Sequence, residues 1–120
     1  MPIEHRDELI QGVRVVRLTG SWTAGPDDDP LRRAHAGWLE GGEQRFVFDM
    51  SGLDLLNSIG LGRLVTYYTS TAREGGRMAL SGLSERNRRA AYVARIVDLF
   101  EEFDDVDAAV AVLASTTLDD

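Results

Sequence analysis

Apolar positions along the chain change period several times, and each change marks an element. Residues Val13-Arg14-Val15-Val16-Arg17-Leu18-Thr19 are β-branched and partly alternating, and Gly20 closes them, which predicts a strand. A shorter strand is expected through Ile3 to Glu8, with Gln11-Gly12 as the turn between the two. Residues 24–30 carry Gly25, Pro26, Asp27, Asp28, Asp29 and Pro30 and read as a loop. Pro30 suits the first turn of a helix with Asp29 as its cap. That helix carries Leu31, Ala34, Trp38 and Leu39 toward a core and stops at Gly41-Gly42.

Phe46-Val47-Phe48 is a short continuous apolar run, the mark of a strand buried on both faces. Asp49 to Asn57 are expected to connect it to the next element. From Ser58 the spacing of Leu61, Leu64, Val65 and Tyr68 predicts a helix that ends near Gly75-Gly76. Met78-Ala79-Leu80 reads as the following strand. Ser84 can cap a helix running through an arginine-rich segment to about Ala94, and Phe100 to Phe103 make a last short strand. Val106, Ala109, Val110 and Leu113 then form an apolar stripe on a terminal helix. The order is β-β-α-β-α-β-α-β-α. Strands separated by single helices need crossover connections, so the expectation is an α/β fold with a central, mostly parallel sheet of four or five strands and about four helices. One domain over residues 1–115 is expected, with 116–120 as a frayed polar tail.

Composition narrows the function. The chain has 120 residues, enough for one domain with a real core. It has no cysteine, which excludes disulfides, thiolate metal sites and cysteine nucleophiles. His5 and His35 are too few and too far apart for a metal site and are expected to be ordinary surface or half-buried residues. A net charge of −7 would repel a phosphate backbone and argues against a nucleic-acid partner. No apolar run reaches the length of about 20 residues that a membrane-spanning helix needs, and the N-terminus has no signal pattern, so a cytoplasmic protein without membrane insertion is expected.

Enzymatic motifs fail one by one. Gly60-Leu61-Gly62 is a fragment of a dinucleotide fingerprint whose third glycine is replaced by Val65, and the chain has no lysine for a phosphate loop. Ser58 lacks the glycine that a nucleophile elbow places two residues earlier, where Leu56 stands. The acidic pairs Glu101-Glu102 and Asp104-Asp105 read as solvated surface. The basic set Arg86, Arg88, Arg89 and Arg95 reads as a solvated or partner-facing helix. No cofactor is implied, and nothing points to an enzyme.

One constellation survives: Asn57-Ser58-Ile59-Gly60-Leu61-Gly62. A serine where a helix starts can be a simple N-cap, its oxygen bonded to an orphan backbone N–H. The same place tolerates a phosphate, because free N–H groups and the positive end of the helix dipole point at it. The two readings are compatible, since a capping hydroxyl can also be the accepting one.

The segment from Phe46-Val47-Phe48-Asp49 through Asn57-Ser58-Ile59-Gly60-Leu61-Gly62 resembles the signature of STAS domains of the anti-sigma factor antagonist type. Those have an apolar strand ending in Asp or Asn, a short loop, and a Ser-x-Gly-Leu-Gly helix start. The likeness takes in Leu18-Thr19-Gly20, Glu74-Gly75-Gly76-Arg77, Leu80, Ser84, Ile96 and Phe100, and so covers most of the chain. The resemblance implies a single STAS domain that binds an anti-sigma factor serine kinase. The kinase phosphorylates the domain on Ser58 and thereby releases it, and a serine phosphatase restores it. It also implies that Thr23, Asp49, Asn57, Ile59, Gly60, Leu61 and Gly62 adjoin the acceptor or meet the partner, in a monomer or weak homodimer. Two positions depart from the pattern. Asn57 stands where many members have Asp, and the acidic residue expected shortly after Leu18-Thr19-Gly20 falls near Thr23. The alternatives are the STAS subunit of an ABC-type lipid transport system, bound to its ATPase, and a STAS scaffold that is no longer phosphorylated.

Overall fold

A computed structural model describes residues 3–22, 29 and 31–115; Thr23, Pro30 and the tail 116–120 lie outside the described residues. The elements are β1 (Glu4–Ile10), β2 (Val13–Trp22), α1 (Leu31–Glu40), β3 (Arg45–Leu56), α2 (Ser58–Arg73), β4 (Arg77–Ser81), α3 (Glu85–Val93), a 3-10 turn (Val97–Leu99), β5 (Glu101–Phe103) and α4 (Val106–Ser115). They follow the expected order. The strands form one five-stranded mixed sheet in the order β1-β2-β3-β4-β5. β1 runs antiparallel to β2, and the other neighbours are parallel.

The β1–β2 hairpin turns on Gln11 and Gly12, at φ 51° and 78°, between the paired residues Ile10 and Val13. Two successive left-handed residues match the right-handed twist of the strands they join, and glycine adopts that conformation without steric cost.

β3 lies in the middle of the sheet, and Phe46, Val47 and Phe48 are fully buried. Alternation sends their side chains to opposite faces. Phe46, Phe48 and Met50 meet Leu31 of α1, Leu61 and Leu64 of α2, and Ala91 of α3. Val47, with Val13, Val15 and Ala79, meets Val106, Ala109, Val110 and Leu113 of α4. The molecule is therefore a three-layer sandwich with α4 alone on one face.

Three expectations are corrected. Asp49 to Leu56 continue β3 instead of leaving it. Thr19, Gly20, Ser21 and Trp22 supply ladder partners for Gly52, Leu53, Leu55 and Leu56, with bulges that absorb the register shifts. In α2 the fully buried ring is Tyr67, and Tyr68 is only partly buried. His35 is buried, not superficial: its Nε2 lies 2.9 Å from Thr71 Oγ1, against the rings of Phe46 and Tyr67. Burial pushes its pKa down to about 4, so the ring sits neutral between α1 and α2.

Candidate functional site

α2 begins where β3 leaves its pairing with β2. Asn57 has extended backbone angles, φ −107° and ψ −171°, and is the N-cap. Its Oδ1 accepts the amides of Ile59 at 3.0 Å and Gly60 at 3.3 Å, while its carbonyl accepts Leu61 N at 2.9 Å. Ser58 is the first helical residue and is exposed. The expectation that Ser58 itself caps the helix is corrected, because the preceding amide performs that role. Part of the expected set of free N–H groups is corrected with it, since two of them already bond to Asn57.

The neighbours divide by what the fold asks of them. Gly60 is buried, and a Cβ there would stand 2.6 Å from Leu56 Cδ1 and 2.6 Å from the Trp22 carbonyl. Only glycine lets the first turn of α2 sit against the ends of β2 and β3. Leu61 is core. Ile59 is 40% exposed, and a Cβ on Gly62 would meet nothing within 4 Å. The fold has no need of a glycine at position 62, where the residue also weakens a helix interior by about 1 kcal/mol relative to alanine.

Ser58 opens onto a cleft of about 560 Å³ between the start of α2 and α3, lined by Leu61, Arg86, Arg89, Ala90, Val93 and Ala94. Ser84 caps α3 by accepting Asn87 N at 3.1 Å, as expected, and the buried Asn87 side chain donates to the Leu53 carbonyl at 3.3 Å. That bond fixes α3 beside the end of β3, and nothing in the sequence pattern marked Asn87 for it. α2 has no acidic residue in its first turn, so the positive end of its dipole is not offset locally.

Asp49 lies elsewhere. It shares the Val47 side of β3 and lines a cleft beside α4 with Ser51, Gly82, Asp104, Asp105 and Asp107. Its carboxylate accepts Arg17 Nη1 at 3.2 Å and the Ser51 hydroxyl at 2.7 Å. The sheet thus separates Asp49 from Ser58. Thr23 falls outside the described residues. Asp29, expected to cap α1, accepts Leu31 N at 3.0 Å and also accepts a short hydrogen bond from the Tyr67 hydroxyl, with Arg63 Nε 3.8 Å away. Burial first, and then Asp29, push the Tyr67 hydroxyl pKa up. The Asp29–Tyr67 contact pins the end of the β2–α1 connection to α2, and a pattern reading that favoured Tyr68 had no means of finding it.

The fold is an α/β sandwich with an exposed serine at the head of the helix that leads out of the central strand. The STAS domain family model matches residues 6–109, and the chain belongs to that family. Similar solved structures include an anti-sigma factor antagonist from Mycobacterium paratuberculosis, 23% identical over 92% of this chain and 93% of that one, with a TM-score of 0.78. The phosphorylated Bacillus cell fate determinant SpoIIAA is 15% identical over 91% and 98%, with a TM-score of 0.72. A sulfate transporter family protein from Wolinella succinogenes is 23% identical over 88% and 89%, with a TM-score of 0.69. At these identities the likeness is one of fold. A search of the curated proteins finds no match. No helix among the described residues is long and apolar enough to cross a membrane.

Proposed function

We propose that the protein is an anti-sigma factor antagonist: a non-catalytic, cytoplasmic binding module switched by phosphorylation of Ser58. The observation that carries this reading is the exposed Ser58 hydroxyl at the first position of α2, relieved of capping by Asn57 and open to a cleft. The partner is an anti-sigma factor with serine kinase activity. In the kinase complex, Ser58 Oγ attacks the γ-phosphorus of ATP and loses its proton, and ADP leaves. A serine phosphatase reverses the change by directing water at phosphorus, which releases inorganic phosphate and restores the hydroxyl.

Binding and modification share one surface in this reading. The unphosphorylated face presents Ile59, the bare Cα of Gly62 and the cleft floor, so a partner can approach the backbone closely. A phosphate in the middle of that face introduces charge where a docked complex would exclude water. The test is incubation with ATP and the serine kinase encoded nearest this gene, followed by intact-mass measurement and peptide mapping. One added phosphoryl group on Ser58, absent in Ser58→Ala, supports the reading. No modification and no complex with that kinase would sink it, and binding to a transporter ATPase instead would mark the domain as a transport subunit.

A further inference from the structure

The cap geometry leaves a phosphate on Ser58 short of partners at its own helix. The amides of Ile59 and Gly60 bond to Asn57 Oδ1, and that of Leu61 bonds to the Asn57 carbonyl. Positive charge is supplied from α3 instead. Arg86 and Arg89 stand one turn apart on that helix, and both line the cleft that Ser58 opens onto. No carboxylate lines this cleft, although the chain carries a net charge of −7. Several arginines elsewhere are answered by carboxylates: Arg14 by Asp7 and Glu43, Arg17 by Asp49, Arg77 by Glu101, and Arg88 by Glu102. Arg86 and Arg89 have no ion pair or side-chain hydrogen bond among the described residues. Arg88, between them in sequence, donates to the Glu102 carboxylate on β5 and does not line the cleft.

We propose that Arg86 and Arg89 form an intramolecular clamp for the phosphate carried on Ser58, fastening the head of α2 to α3 when the serine is modified. This rests on the reading of Ser58 as the phosphoacceptor. A phosphoserine offers three acceptor oxygens and nearly two negative charges, and planar guanidinium forks match that geometry. Both partners belong to one rigid fold, so the pairing is intramolecular and does not depend on protein concentration. The clamp draws the two arginines over Leu61, Ala90 and Val93, so the modified domain both gains charge and covers the floor of its own cleft.

The experiment uses full-length protein with phosphoserine inserted at position 58 during translation, so no kinase is needed. The second ionisation of the phosphate, ordinarily near pH 6, is followed by ³¹P nuclear magnetic resonance. Two charge pairs of this exposure lower the midpoint by roughly 0.3–1.5 pH units. The expected result is a depressed midpoint in the otherwise wild-type chain that moves back toward 6 in Arg86→Gln/Arg89→Gln. Arg88→Gln leaves it in place. The alanine pair at 86 and 89, favourable in a helix, replaces the glutamine pair if that variant does not fold. Equal midpoints in wild type and the double variant, or an equal response to Arg88→Gln, overturn the clamp. Such a failure leaves the kinase reading standing, because that reading is tested by modification and binding alone. Conversely, absence of a kinase leaves the clamp measurable.

Discussion

Asn57 and Ile59 face each other across the first turn of α2, with the Asn57 side-chain oxygen accepting the Ile59 amide at 3.0 Å. This one bond separates two roles that the sequence presents together, holding the helix start and offering a hydroxyl. Asn57 holds, and Ser58 is left to offer.

The first prediction follows from that division. Ser58→Ala should change unfolding free energy by no more than about 0.5 kcal/mol, as an exposed substitution does. Asn57→Ala should cost roughly 0.5–2 kcal/mol through loss of the cap. Urea denaturation of the two variants measures both. A larger loss from Ser58→Ala than from Asn57→Ala would return the capping role to Ser58.

Asn57→Asp keeps a capping oxygen and adds charge beside the acceptor. Stability should hold, because Asp caps as well as Asn. The phosphorylated state should be more strained, so phosphate should be gained more slowly or lost faster by a modest factor. Time courses of modification for the two proteins check this, and identical rates would remove the idea.

The adjacent glycines should behave in opposite ways. Gly60→Ala forces a methyl to within 2.6 Å of Leu56 and the Trp22 carbonyl and should cost about 1–3 kcal/mol by overpacking. Gly62→Ala meets nothing within 4 Å and should stabilise the helix by up to about 1 kcal/mol. If the bare surface at 62 serves docking, the more stable Gly62→Ala should nonetheless bind its partner more weakly. Melting curves and binding titrations on one pair of proteins separate the effects, and unchanged affinity would detach Gly62 from docking.

His35 makes stability depend on pH. Its folded pKa, about 4, lies below the ordinary value of 6.5, so between those values the unfolded chain binds the extra proton. Stability from this group is therefore full above about pH 6.5 and falls as pH drops toward 4. The loss is on the order of 2–3 kcal/mol at most. His35→Gln should flatten this part of the profile. An identical slope in the variant between pH 6.5 and 4 would show that His35 is not the group responsible.

The switch is predicted to act on binding far more than on folding. A phosphate near −2 is offset at the helix start by about 0.3–1 kcal/mol, up to ~2 in a favourable site. Left uncompensated in a docked interface, a charge costs roughly 3–5 kcal/mol, or about two to four orders of magnitude in affinity. Ser58→Ala should keep the partner bound in the presence of ATP, whereas Ser58→Glu should fold normally and bind far more weakly. Calorimetric titration decides, and equal affinities for both variants and wild type would reduce Ser58 to an ordinary surface residue.

The features legible in the residue pattern are local. The partial alternation in Val13–Thr19, the continuous run Phe46–Phe48 and the helical spacing of Leu61 with Leu64 depend on neighbours a few residues away, and two strands and a helix stand there, although β2 runs past the expected stop at Gly20 to Trp22. The motif at 57–62 likewise put Ser58 at a helix start. Tertiary structure decided what depends on a distant partner. Gly52 resembles a turn until β2 supplies its ladder, which turns Asp49–Leu56 into strand. His35 is polar by type and buried only because α1 and α2 close over it beside Phe46. Asp49 and Ser58 stand nine residues apart in the chain, yet the alternating pleat of β3 sends Asp49 to the α4 side. Arg86 and Arg89 line one cleft with Ser58 on a helix that Asn87 fastens to Leu53. A contact across the fold is made by packing and leaves no period in the residues that make it.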